Sequence, residues 1–390
     1  MDTTYDSFWS YAHDDDTRSF GRVSKLAEAI TNEFALTTGD ELNLFLDRKS
    51  IRWGDAWRSR IDDAVGEAPF FVPIITPSYL KSVECRKELI AFSGNAKSRG
   101  LDRLLLPILY LDVPNLDEDS PDEVLALIAR TQYLDWRHLR HKKLDSEEHL
   151  EAVHGVAEEL ARRRREVSEV TLRTESRSPS DEIAELHQTM GAIAEKLPAW
   201  MEAVDFDKVA GAQWAAALEA RMARISRLNS QRAPQSAVMS TYIQLGNELL
   251  PIARDRLEKA QIYAKATIEL DPLVDRAIRL VGQHPDQSSL LFSLRDGVDE
   301  AWININHEHP LRTRVNLFAV PSGLPDTKHL TDTKTLLSAS YTHVTEGNRL
   351  VIGWRNAIRE LDGLEAEYID DDDYFIITRE PRAEADAAAE

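Results

Sequence analysis

The stretch Pro69-Phe70-Phe71-Val72-Pro73-Ile74-Ile75-Thr76 is an almost unbroken apolar run. Runs of this kind suit a parallel strand buried on both faces. Pro77 and Ser78 stop it, and a helix is expected from near Tyr79, carrying Ser82, Cys85, Glu88 and Phe92. At about 3.6 residues per turn, Ser82, Cys85 and Glu88 share one side of the first two turns of such a helix. The pattern therefore sets an acidic group at the mouth of an α/β sheet.

The segments around this strand alternate in the same way. Tyr5–Tyr11 reads as a strand that ends in the polar run His13-Asp14-Asp15-Asp16, and Arg18–Phe34 has helical spacing, with Phe20, Val23, Leu26, Ala27 and Ile30 on one face. Leu42–Leu46 reads as a second strand, Asp47–Gly54 as a polar loop, and Trp57, Ile61, Ala64 and Val65 mark a short amphipathic helix. Leu104–Tyr110 reads as a fourth strand and Thr131–Leu134 as a short fifth. Glu147–Arg165 closes the segment as a helix whose arginine run, Arg162 to Arg165, complements the dipole at its end. Such alternation predicts a parallel sheet covered by helices. Ligands of these sheets bind outside the carboxyl ends of the strands, where the loops after Tyr11, Leu46 and Thr76 lie.

The chain has 390 residues, which suits two or three domains. The expected organisation is an α/β domain over 1–165, a polar linker over 166–180, a helical domain over 181–305, a small α+β segment over 306–380 and a flexible tail over 381–390. The linker is placed by Arg173-Thr174-Glu175-Ser176-Arg177-Ser178-Pro179-Ser180, which is polar and turn-forming. In the small segment, Val315–Val320 and Tyr374–Thr378 read as strands, and Leu330–Leu337 and Val351–Leu361 as helices. A net charge of −20 argues against nucleic-acid or anionic-membrane binding. No window approaches the ~18 apolar residues of a membrane span, so no membrane partner is expected. The single cysteine, Cys85, excludes an intrachain disulfide and, with no evident signal peptide, fits a cytoplasmic protein.

Three boxes suggest a family. Tyr5-Asp6-Ser7-Phe8-Trp9-Ser10-Tyr11-Ala12-His13 resembles the first box of Toll/interleukin-1 receptor (TIR) domains. Phe45-Leu46-Asp47-Arg48-Lys49-Ser50-Ile51-Arg52-Trp53-Gly54-Asp55-Ala56-Trp57 resembles the BB loop of that family. Pro77-Ser78-Tyr79-Leu80, with Ser82, Cys85, Glu88 and Leu89, resembles the segment carrying the catalytic glutamate of enzymatic members. The resemblance covers about residues 1–165 and is to bacterial-type TIR domains. It implies a flavodoxin-like domain with a five-stranded parallel sheet and says nothing about the rest of the chain, which the residue patterns read as a mostly helical α+β region. It implies cleavage of NAD+ between nicotinamide and ribose, giving nicotinamide and ADP-ribose or a cyclic variant. Glu88 is then the essential carboxylate, and Tyr11, Ala12, the BB loop and Trp57 line the pocket. It also implies activity that depends on TIR–TIR self-association. Trp9 departs from the family pattern, which favours a small or aliphatic residue there.

The residue types fit that chemistry. Nicotinamide in NAD+ is already cationic and leaves without protonation, while the ribose gains oxocarbenium character. One carboxylate can stabilise that charge, so neither metal nor cofactor is expected and NAD+ is the substrate. Tyr11, Trp53 and Trp57 are candidates to stack its rings, and Arg48 and Lys49 to meet its pyrophosphate. Asp47 either braces the loop or lines the site. Ser82 is expected to bond locally near the pocket, since no histidine stands ready to activate it. Cys85 reads as a small packing residue. The absence of a glycine-rich phosphate motif speaks against a dehydrogenase or NTPase. His307-Glu308-His309 lacks a third ligand, and Asp370–Asp373 lacks calcium-loop spacing. The main account is an anti-phage effector whose carboxy-terminal region senses an unknown trigger. The alternatives are a non-enzymatic scaffold that recruits other TIR domains, a virulence effector acting on host TIR signalling, and a base-exchange enzyme on the same scaffold.

Overall fold

The structure, a computed structural model, describes residues 7–46, 70–175, 177–204, 207–307 and 324–364. These fall into two compact units, one built from Met1–Glu195 with Ile268–Leu290, the other from Lys196–Thr267 with Leu291–Glu390.

The first unit is organised by a parallel sheet in the order β2-β1-β3-β4-β5. Its strands are β1 (Ser7–Ser10), β2 (Leu44–Leu46), β3 (Phe70–Ile75), β4 (Ile108–Leu109) and β5 (Leu134–Asp135). This is the flavodoxin-like order, in which the chain reverses direction across the sheet between β1 and β3. Ser7 pairs with Leu44 on one side of β1 and with Phe70 on the other. Every residue of β3 is buried, as the apolar run requires. Pro73 sits inside β3 opposite Ser10. It has no N–H to give, and the regular ladder from β3 to β4 runs only over Ile74 and Ile75, with an isolated bridge at Phe71–Leu105. That interruption shortens β4 from the expected Leu104–Tyr110 to Ile108–Leu109, and Asp102–Leu104 turns into a short 3-10 helix.

Helices cover the sheet. The helices α1 (His13–Arg18) and α2 (Arg22–Thr38) follow β1, separated by a turn in which Phe20 and Gly21 both have positive φ. Asp16 fixes this turn, accepting from the backbone N–H groups of Val23 and Ser24 and from the Ser24 hydroxyl. The buried face of α2 is Val23, Leu26, Ala27, Ile30 and Phe34, close to the expected stripe, whereas Phe20 points to solvent in the turn. After β3 come α3 (Pro77–Lys81) and α4 (Val83–Ser98), and α5 (Glu123–Arg130) precedes β5. Phe92 of α4 stacks on Phe71 with ring centroids 4.9 Å apart. The buried Arg86 makes a two-pronged ion pair with Asp122, which also caps α5 through the Val124 N–H. The long α6 (Glu147–Glu175) packs along α2 and ties down the sheet through Arg163, which donates to the carbonyls of Arg103 and Leu105. It continues through the first ten positions expected to be a linker, because nothing between Arg165 and Glu175 breaks a helix.

Ile268–Leu290 also packs in this unit, on the carboxy-terminal half of α4. Ser98 donates to Asp275 at 2.6 Å, Arg279 donates back to the Ser98 hydroxyl at 2.8 Å, and Arg276 reaches the Ser98 carbonyl. This stretch includes the end of α9 (Gln235–Gln283). Before it run α7 (Pro179–Val204) and α8 (Asp207–Ser230).

The second unit is helical where it is described. It contains the end of α7, all of α8, the other part of α9, α10 (Phe292–His307) and α11 (Lys328–Leu361). Trp214, Leu245, Leu249, Leu330 and Leu337 form one core cluster. Trp200 and Trp354 pack at 5.6 Å, and the Trp200 indole N–H donates to Thr267. The two helices expected at Leu330–Leu337 and Val351–Leu361 are one continuous helix. It runs through Gly347 and Asn348, where Gly347 lets the Tyr263 ring approach and Asn348 accepts from the Tyr263 hydroxyl. The strands expected at Val315–Val320 and Tyr374–Thr378 lie outside the described residues. No described helix is long and apolar enough to cross a membrane.

Candidate functional site at the end of the first strand

Ser10 is the last residue of β1, and Pro73 is its neighbour on β3. The carboxyl ends of these two strands define the point where the chain reverses its course across the sheet, the usual place for a ligand in such folds. Glu88 is delivered to that point from α4. Its Oε2 stands 2.5 Å from the Ser10 hydroxyl. Glu88 is half-buried, whereas Ser10 is 3% exposed.

Two breaks in the helical path aim Glu88. Thr76 caps α3 by accepting from the Tyr79 N–H, and its own hydroxyl donates to Asp15 of α1 at 2.5 Å. Ser82 then closes α3 and opens α4 with an extended backbone (φ −78°, ψ 117°). The continuous helix expected from Tyr79 is thus two helices. Ser82 does not lie on the Glu88 helix but caps it, accepting from the Cys85 N–H at 3.3 Å. A serine is a preferred residue for that position because its oxygen satisfies one of the orphan donors of the first turn. Helix α4 therefore starts one turn and a half before Glu88.

Beside this carboxylate the interior is closed. Tyr79 is fully buried, contacts Ser10 at 3.2 Å and donates to the Cys85 carbonyl at 3.0 Å. Burial above all, with the nearby Glu88 carboxylate adding to it, pushes its phenol well above the usual tyrosine range. Cys85 is buried too, and mainly that burial pushes its thiol up to about 12. A thiol so hard to ionise is a packing group and not a nucleophile, as its residue type suggested.

Tyr11 and Ala12 directly follow Ser10 and are buried at the same strand end. Tyr11 meets His13 edge-on at 5.3 Å, and Ala12 caps α1 through its carbonyl. Thus Glu88, Tyr11 and Ala12 come to one edge of the sheet, with Ser82 at the base of the helix. Asp47, Arg48, Trp53 and Trp57 lie outside the described residues. Trp9, the departure from the family pattern, is 1% exposed and is absorbed in the core. Sequence reasoning missed the roles of Ser10 and Tyr79. The only available signal was a hydroxyl at the last position of a buried strand and a tyrosine after the next strand, and neither specifies a partner without the fold.

Residues 8–152 match the family model for the TIR domain. The chain carries a TIR domain. Apart from Ser7, the match takes in the five strands of the sheet, all of α4 and the start of α6, and the region beyond it is largely helical where it is described. Neither a curated protein nor a solved structure matches the chain.

Proposed function

We propose that the TIR domain of this chain is an NAD+ glycohydrolase in which Glu88 is the essential carboxylate. The observation that carries this reading is the Glu88 carboxylate held 2.5 Å from Ser10 at the carboxyl end of β1, where flavodoxin-like sheets take nucleotides. A half-buried carboxylate at such a place is oriented before any ligand arrives, and preorganised charge is worth several kcal/mol toward a developing cation.

The reaction balances without a metal. The bond from ribose C1 to the nicotinamide nitrogen breaks, and its electron pair neutralises the pyridinium ring, so nicotinamide leaves uncharged. Positive charge develops on C1 and the ring oxygen, facing the Glu88 carboxylate. Water adds to C1 and loses a proton to solvent, giving ADP-ribose. A nucleophile within the same dinucleotide gives a cyclic variant instead. Tyr11 is the aromatic residue at the same strand end for stacking a ring, with Ala12 beside it, and Ser82 sets the start of the Glu88 helix. Asp47, Arg48, Trp53 and Trp57 complete the proposed substrate-binding set.

In this account the domain works in the cytoplasm, self-association through TIR domains completes the pocket, and the extension senses a trigger. Such a protein depletes NAD+ as a bacterial anti-phage effector. The test is nicotinamide release from NAD+ by the full chain, across rising protein concentration and with a crowding agent. Release that grows more steeply than protein concentration supports assembly-dependent hydrolysis. No release at any concentration favours the scaffold reading, in which the domain only recruits other TIR domains.

A further inference from the structure

We infer that Ser10 is a positioning residue for Glu88, and that Tyr79 braces the pair; this rests on the proposed role of Glu88. Three elements meet here. Ser10 ends β1, Tyr79 lies on α3, and Cys85 and Glu88 lie on the first turns of α4. The Ser10 hydroxyl is 2.5 Å from Glu88 Oε2 and 3.2 Å from the Tyr79 hydroxyl, and Tyr79 is 3.0 Å from the Cys85 carbonyl.

Counting protons assigns the directions. Ser10 has one proton, with the Glu88 carboxylate, the Tyr79 hydroxyl and the weakly accepting Cys85 sulfur around it. Of these the carboxylate is anionic, and a hydrogen bond to a charged oxygen is shorter and about twice as strong as one between neutral groups. Ser10 therefore donates to ionised Glu88. The Tyr79 proton goes to the Cys85 carbonyl, which fixes the phenol oxygen beside Ser10 and ties α3 to the first turn of α4. Burial keeps that phenol protonated. With a proton on Glu88 the heavy atoms keep their places and only the protons rearrange: Glu88 donates to Ser10, and the Ser10 proton turns to the Tyr79 oxygen. A hydroxyl alone can serve both states, since it donates and accepts. Alanine can do neither.

A merely structural role predicts a different result. Ser10 is buried, and Ser10→Ala removes one atom without adding bulk, so the fold is retained. What it releases is the carboxylate. Its effect is expected on turnover, where charge develops, more than on substrate binding.

The experiment compares the full-length chain with Ser10→Ala, Ser10→Thr, Tyr79→Phe and Glu88→Gln, measuring kcat and KM for nicotinamide release and the melting temperature of each. Ser10→Ala is expected to lower kcat by about 10- to 100-fold, the range of a lost hydrogen bond to a charged group, with KM changed by less than about threefold. Ser10→Thr restores most of the loss because it keeps the hydroxyl. Tyr79→Phe lowers kcat less than Ser10→Ala, since it leaves the direct bond to Glu88. An active wild type with an inactive Glu88→Gln and an undiminished Ser10→Ala overturns this inference and leaves the role of Glu88 standing. A Ser10→Ala loss confined to KM, or one that Ser10→Thr shares in full, also overturns it. A wild type that releases no nicotinamide even when driven to assemble by high concentration and a crowding agent overturns both.

Discussion

Gly94 on α4 faces the buried carboxylate of Asp271 so closely that no side chain fits between them; a methyl group on Gly94 would overlap Asp271 Oδ2. The contact lies in the sheet-bearing unit, beside the cluster that holds Ser98 to Asp275, Arg276 and Arg279. Glycine normally weakens a helix, so its presence in the middle of α4 has a packing reason. We expect Gly94→Ala to lower stability by about 1–3 kcal/mol, because a short buried side chain has little room to yield. Gly155 and Gly191, both exposed within helices with nothing near them, are the controls. Alanine there should raise stability by about 0.5–1 kcal/mol. Thermal melts of the three variants decide between packing and propensity.

Cys85 provides a second check, because it is the chain's single cysteine and any thiol label reports on it alone. It is buried and its thiol is pushed up to about 12. Less than about one thiol in a thousand is then ionised near pH 8, against about a quarter of an ordinary cysteine. Labelling of the native chain should be at least about 100-fold slower than of the denatured chain. Labelling at comparable rates would show that the first turns of α4 open readily.

His149 gives stability a defined pH dependence. It is buried, packs edge-on against Trp136 at 5.5 Å, and burial followed by the Arg22 charge holds its imidazole below the ordinary value of 6.5. Below pH 6.5 the unfolded chain takes up a proton that the folded chain does not. The contribution is therefore fully present above that pH and is lost as pH falls through the folded value. In melts at pH 7.5 and pH 5.5, the wild type should lose more stability than His149→Phe. Equal losses would contradict the assignment.

Much of this fold is legible in the sequence because its signals are local. The buried run Phe70–Ile75 specifies an interior strand, the α2 stripe specifies a helix face, and the order of boxes specifies how they alternate. The position of Glu88 at the sheet mouth follows from the same order. What the chain alone does not display are contacts between distant residues. Ser10 and Glu88 are joined only when β1 and α4 come together, and Asp271 meets Gly94 across a long stretch of sequence. Local chemistry was also misjudged where two tendencies compete. Ser82 fits a helix by spacing, yet its hydroxyl serves better as a cap, so the helix breaks there. Arg173-Thr174-Glu175 reads as linker by composition, yet α6 runs through it, since arginine and glutamate are good helix formers and one threonine lowers a helix's stability without stopping it.

The central claim is that the carboxylate at position 88 stabilises charge on the ribose of NAD+. Its most direct measurement is the rate of nicotinamide release by Glu88→Gln relative to the wild type at equal concentration and matched assembly state. Glutamine keeps the size and a hydrogen-bonding oxygen for Ser10 but removes the negative charge. The account predicts a fall of at least about 100-fold in kcat in a protein that folds and assembles like the wild type. A Glu88→Gln protein that releases nicotinamide at the wild-type rate would contradict it.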